Sequence, residues 1–186
     1  MGENMGLTFS SMTPLGLAMP AFSLPSAQGQ HWSNVDLQGT PTVLAILCNH
    51  CPYVQAVDGR IDQLTRDYRG RIQVIGINAN DPDAYPEDSF EAMVQRSQHK
   101  DYAFPYLWDQ SQDLARSLGA ECTPDFFLFN AHHRLVYRGR LDDSWKDPQL
   151  VTSQDLRKAI EGMLNHQPIS TDQKPSLGCS IKWRNL

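Results

Sequence analysis

The sequence predicts an α/β fold, a central mixed sheet flanked by helices. Two runs of strand character, Thr42 to Leu47 and Arg71 to Asn78, bracket a stretch of helical period, which makes a βαβ unit. Phe126 to Phe129 and Arg134 to Tyr137 then read as two strands across a short gap, an antiparallel hairpin. A last helical stretch closes the chain pattern. Parallel pairing in the first unit and antiparallel pairing in the second require a mixed sheet.

Each element has its own signal. Residues 21–32 read as a hairpin, with Ala21 to Leu24, a turn over Pro25 to Gln30, then His31-Trp32. Thr42 to Leu47 (TVLAIL) is apolar throughout and rich in β-branched residues, as a strand buried on both faces is. Val54, Val57, Ile61, Leu64 and Tyr68 then recur at intervals of three and four, and Gly70 stops that helix. After the Arg71–Asn78 strand comes a loop with Pro82 and Pro86. Asp88, with Glu91 three residues on, is the expected start of a helix whose face is Phe90, Met93 and Val94. Tyr106 to Trp108 predicts a short strand. Leu114, Ala115 and Leu118 predict a short helix ended by Gly119. The last helix is expected from about Thr152, with Leu156, Ala159, Ile160, Met163 and Leu164 as its stripe. The charged run Arg138, Arg140, Asp142 and Asp143 reads as a solvated turn. One domain is predicted over 21–166, preceded by a loosely ordered arm over 1–20 and followed by a tail, 167–186, packed on or near it.

Composition narrows the function. The chain has 186 residues and a net charge of −5, so no basic nucleic-acid footprint exists. No apolar run approaches the roughly 18 residues of a membrane span. The first Lys or Arg is Arg60, which argues against a secretory leader with its basic start and predicts a cytoplasmic protein with reduced thiols. Four cysteines, Cys48, Cys51, Cys122 and Cys179, are too few for a disulfide-stapled scaffold.

Cys48-Asn49-His50-Cys51 lies where the buried strand ends and the helix begins. That position puts Cys48 at the helix N-terminus, where free N–H groups and the helix dipole favour a thiolate. His50, when protonated, would favour it further. Pro52 suits the first helical turn. Cys51, one turn on, is close enough to close a disulfide with Cys48. Half a zinc site, or two incidental buried thiols, are the rival readings. Zinc lacks the expected second ligand pair in this sequence.

Cys122-Thr123-Pro124 directly precedes the second sheet unit. Together with CNHCPYV (48–54) it resembles the thioredoxin-fold redoxins, the branch between small thioredoxins and peroxiredoxins. The stretches AFSLP (21–25), YPEDSFEAM (85–93), FPYLWD (104–109), CTPDFFLFN (122–130), VYRGRLDDS (136–144) and GCSIKW (178–183) extend the resemblance over nearly the whole chain from residue 21. It implies a cis Pro124 facing the cysteine pair, and a Thr123 whose backbone groups pair with a substrate strand. It also implies a βα insertion at about 79–110. His50 before the second cysteine is similar to the more oxidising members, which places the expected potential nearer about −180 than about −270 mV. Peroxiredoxins carry Thr or Ser three residues before the reactive cysteine. Here Ala45 stands there, with Pro41 further upstream.

The resulting expectation is a thiol–disulfide oxidoreductase. Cys48 attacks a protein or small-molecule disulfide, and Cys51 resolves the mixed disulfide, with an unspecified thiol reductant, no bound cofactor, no metal and no membrane span. Thiol peroxidase action through a Cys48 sulfenic acid is the alternative, and a non-enzymatic soft-metal or thiol binder is another. Cys122, near the proline, reads as a buried hydrophobe or a third thiol. Cys179, in the tail, reads as a packed thiol or one that folds back over the site.

Overall fold

The structure, a computed structural model, describes residues 7–184. Its strands are β1 (Leu7–Phe9), β2 (Ser23–Pro25), β3 (His31–Ser33), β4 (Thr42–Leu47), β5 (Gln73–Asn78), β6 (Tyr106–Trp108), β7 (Cys122–Thr123), β8 (Asp125–Phe129), β9 (Leu135–Gly139) and β10 (Leu177–Ser180). Its helices are α1 (Pro52–Asp67), α2 (Phe90–Lys100), α3 (Asp113–Leu118) and α4 (Asp155–Leu164).

The TVLAIL strand is the centre of the molecule. A five-stranded sheet runs β6-β5-β4-β8-β9, parallel over the first three and antiparallel from β4 to β8 and β8 to β9. Every residue of β4 is buried, as its unbroken apolar run requires. Strand alternation splits that run between two layers. Val43, Ala45 and Leu47 join Val54, Val57, Ile61 and Leu64 of α1, Met93 of α2, and Leu156 and Ile160 of α4. Leu44 and Ile46 join Leu114, Ala115 and Leu118 of α3 together with Met19 and Phe22 from the N-terminal segment. Each such large side chain contributes on the order of 2 kcal/mol by leaving water.

Helix boundaries follow local caps. Cys51 is the N-cap of α1, with Pro52 in the first turn. Ser89, not Asp88, caps α2, its hydroxyl accepting from the Ala92 amide at 3.3 Å. Asp88 is thereby released to a different task. α4 starts at Asp155, later than Thr152, because the Thr152 and Ser153 amides donate to the Asp143 carboxylate at 2.9 and 3.0 Å. The charged run after β9 is no solvated turn. Asp142 is buried and pairs with Arg60, whose guanidinium also donates to the Ser144 and Trp145 carbonyls. Arg140 pairs with Asp155 at 2.5 Å.

Both ends of the described part are tied down. A second sheet has the order β1-β10-β7, all antiparallel. The Gly16 and Met19 amides donate to Leu135 and His133 carbonyls, both at 2.8 Å. Residues 7–20 are therefore pinned to the domain, unlike the loose arm expected from their lack of period; residues 1–6 of that arm lie outside the described part. Backbone pairing of three-residue strands leaves no periodic trace in sequence, which is why the arm and tail read as irregular. No helix of the described residues is long and apolar enough to cross a membrane.

Candidate redox site

The site lies where β4 ends, at one edge of α1 and against β7. Cys48 follows β4 directly, and Asn49 and His50 carry the chain to Cys51. The Cys48 Sγ is 3.3 Å from the Thr123 hydroxyl, and the Cys51 thiol donates to the Thr123 carbonyl at 3.3 Å. The Thr123–Pro124 peptide is cis. Cys48 and Cys51 are both buried, at 1% and 0% exposure, and all four cysteines are free thiols.

The lowered pKa expected at Cys48 falls to Cys51 instead. Cys48 stands three residues before the cap, outside the reach of the first-turn amides, while Cys51 is the cap itself. Burial pushes the Cys48 thiol well above its ordinary range, and the Cys51 sulfur and the Asp88 carboxylate add to this. Cys51 moves the other way. Contact with the Cys179 sulfur, then with the Cys48 sulfur, lowers its pKa, and the Val54 amide faces it.

His50 does not serve Cys48 as the cationic partner expected of it. Its Nδ1–H donates to the Asp88 carboxylate at 2.6 Å, and that bond raises the His50 pKa. The ring stacks on Tyr85, with centroids 4.9 Å apart and planes 9° from parallel. Asp88 is fully buried and is the hub of the loop. It also accepts from the Asn49 amide at 2.6 Å and the Asn80 side chain at 2.7 Å. Asn49 in turn accepts from the Tyr106 hydroxyl at 3.1 Å and donates to the Glu87 carbonyl at 2.8 Å. From sequence, Asp88 reads only as a helix start, and Asn49, Asn80 and Tyr85 have no assigned role in the site. The available signal was Ser89, itself a competent cap, which leaves the preceding aspartate unneeded at the helix start.

Cys179 is brought into the site, and Cys122 is not. The tail returns as β10 along β7, with Cys179 opposite Thr123 and Ser180 opposite Cys122. The Cys179 and Cys51 sulfurs are 2.8 Å apart. Gly178 makes this approach possible, since a Cβ there would stand 1.9 Å from the Thr123 carbonyl oxygen. The Thr123 edge that the resemblance reserved for a substrate strand thus carries the chain's own C-terminal strand. Cys122 points at the Pro124 carbonyl, 4.0 Å away, and burial raises its pKa. Among the described residues, Cys48, His50 and Asp88 form a group able to hold a metal, with ligand atoms within 4.8 Å of one another. The Asp88 oxygens in that group already accept three hydrogen bonds.

A match to the AhpC/TSA family covers residues 15–138. No curated protein matches the sequence. An uncharacterized conserved protein from Geobacillus kaustophilus is 39% identical, with a TM-score of 0.93 over 98% of this chain and 99% of that one. A hypothetical protein from Sinorhizobium meliloti 1021 is 37% identical, with a TM-score of 0.91 over 96% of this chain and 100% of that one. A secreted Mycobacterium tuberculosis disulfide oxidoreductase homologous to E. coli DsbE shares the fold, with a TM-score of 0.58 and 19% identity over 76% of this chain and 95% of that one. With its mixed central sheet and flanking helices, and a family match that spans two-thirds of its length, the chain belongs to the AhpC/TSA family and has the thioredoxin-like fold of the redoxins.

Proposed function

We propose that the protein is a thiol–disulfide oxidoreductase that cycles a Cys48–Cys51 disulfide through a mixed disulfide with a protein or small-thiol substrate. The observation that carries this reading is the convergence of Cys48 and Cys51 on Thr123. Reduction begins with Cys48 passing its proton to Cys51 and attacking a substrate disulfide sulfur, which expels one substrate thiolate. Cys51 passes that proton to the expelled substrate thiolate and attacks the Cys48 sulfur. The second substrate sulfur leaves as a thiolate, and two electrons have moved from the pair to the substrate. The reverse sequence oxidises a dithiol. The reaction needs no cofactor in the chain.

The closed site also implies an opening step, because both sulfurs are covered by β10 and the loop network. Peroxide reduction, the alternative chemistry of the family, has no hydroxyl at position 45, where Ala45 is a fully buried strand residue. The test is partner trapping with Cys51→Ser, which should accumulate a mixed disulfide on Cys48 that dithiothreitol releases. A Cys48→Ser protein that still reduces insulin disulfides at the wild-type rate would overturn the reading.

A further inference from the structure

The redoxin chemistry proposed above uses two sulfurs, and the site holds three. Cys51 is the shared one. It contacts Cys48 on the loop side and Cys179 on the tail side, with 2.8 Å between the Cys51 and Cys179 sulfurs. That separation is inside van der Waals contact and within about 0.8 Å of a disulfide bond length. The contact is built by the backbone. β10 is held in register on β7 by the Cys179–Thr123 and Ser180–Cys122 pairs, and on its other edge by β1. Gly178 supplies the close approach to Thr123. Beyond the strand, the Lys182 amide donates to the Asn80 side chain at 2.8 Å, and the Lys182 carbonyl accepts from the Asp81 amide at 2.9 Å. Before it, Ser10 and Ser176 exchange hydrogen bonds of 3.0 and 2.9 Å. Cys179 is 1% exposed, so Cys51, and not solvent or an outside thiol, is what its sulfur meets.

We propose that Cys179 is a third redox-active thiol, which exchanges into the Cys48–Cys51 disulfide to form a Cys51–Cys179 disulfide and free Cys48. This inference rests on the redox reading of the Cys48–Cys51 pair. In the exchange, the deprotonated Cys179 sulfur bonds to the Cys51 sulfur as the Cys48–Cys51 bond breaks. Cys48 leaves as a thiolate and takes up the proton that Cys179 gave up. No electrons enter or leave, so the oxidised protein has two forms of equal oxidation state. In one, the tail is held only by hydrogen bonds. In the other, the C-terminal strand is covalently clamped over the site and Cys48 is again a thiol beside Thr123. The tail behaves as an internal substrate strand whose cysteine accepts the disulfide.

The experiment is cross-link mapping of the full chain equilibrated in a glutathione/glutathione-disulfide buffer, quenched in acid, alkylated and digested with trypsin. Cys48 and Cys51 share the peptide that ends at Arg60, whereas Cys179 lies in the peptide that ends at Lys182. A Cys48–Cys51 bond is therefore internal to one peptide, and a Cys51–Cys179 bond joins two. The joined pair is expected in wild type, is retained in Cys48→Ser and in Cys48→Ala, and is lost in Cys179→Ser, where the internal bond remains. A wild-type digest with only the internal bond, and no joined pair in either folded Cys48 variant, overturns this proposal and leaves the two-cysteine reading standing. A joined pair that vanishes with Cys48 assigns the link to Cys48 and also overturns it. No bond of either kind in wild type overturns both readings. Should the Cys48 variants fail to fold, fragmentation of the joined wild-type peptides, which locates the link at Cys48 or Cys51, decides alone.

Discussion

The two segments that meet at Cys51 are held in place by different physics. The loop 48–51 is fixed by a polar network centred on one buried carboxylate, Asp88, with His50, Asn49 and Asn80 as its partners. The strand 177–180 is fixed by backbone pairing on both edges and by the absence of a side chain at Gly178. Charged hydrogen bonds inside a protein are strong, and costly to leave half made. Backbone pairing is exchangeable in a way the buried charge is not, because a strand released to solvent makes its backbone bonds with water instead. The loop is thus held by buried charge and the tail by backbone pairing.

Four measurements break or sharpen that contrast. The largest effect is expected at the shared sulfur, where Cys51→Ser should lower catalytic disulfide reduction by about a thousandfold or more, the scale for loss of a group that acts covalently. Turnover within tenfold of wild type would mean that neither half works through Cys51. Next, Asp88→Asn should cost about 3 kcal/mol in chemical denaturation, because it strips the buried partner from His50. It should leave hydrogen-exchange protection of residues 177–180 unchanged; a matching loss there would show that loop and tail are one unit. Gly178→Ala should cost about 2 kcal/mol, since the new methyl must push β10 off the Thr123 carbonyl. It should also speed alkylation of Cys48 and Cys51 at least severalfold. An unchanged alkylation rate would show that β10 is not the cover.

The smallest effect expected is in pH dependence. Burial pushes the Asp125 carboxyl up to about 8, and one of its oxygens has no hydrogen-bond partner. Between the unfolded value of 3.8 and about 8, the folded chain holds a proton that the unfolded chain has released, so stability falls as pH rises across that window. His50 acts with the same sign. Its folded pKa is raised by Asp88, so its contribution is complete below the ordinary value of 6.5 and is lost as pH rises through the folded value. Asp125→Asn should remove the first part of that slope and stabilise the protein by about 1 kcal/mol or more above pH 8, whereas His50→Gln should remove only the second part. A flat wild-type profile from pH 5 to 9 would contradict both assignments.

The chain order of strands and helices was legible in the sequence because each core element carries its own period. TVLAIL, the α1 stripe and the FFLF strand are local patterns, and each was found within a few residues of its predicted place. Helix starts were less legible where two caps compete, as Asp88 and Ser89 do, because either residue satisfies the pattern and only packing selects one. The CxxC pair was legible because strand, loop and helix are contiguous. The difference between the two thiols was not, because the helix start falls at Cys51 and burial raises the Cys48 thiol.

By itself, then, the sequence determined the layered α/β fold, the location of the cysteine pair and the motif that faces it, since all three depend on residues near one another in the chain. Only the tertiary structure decided which thiol is acidic, that His50 answers to Asp88, and that Cys179 touches Cys51. Those depend on contacts that span 38 and 128 positions. Their driving forces are burial and backbone pairing, which act on the folded chain and leave no period along it.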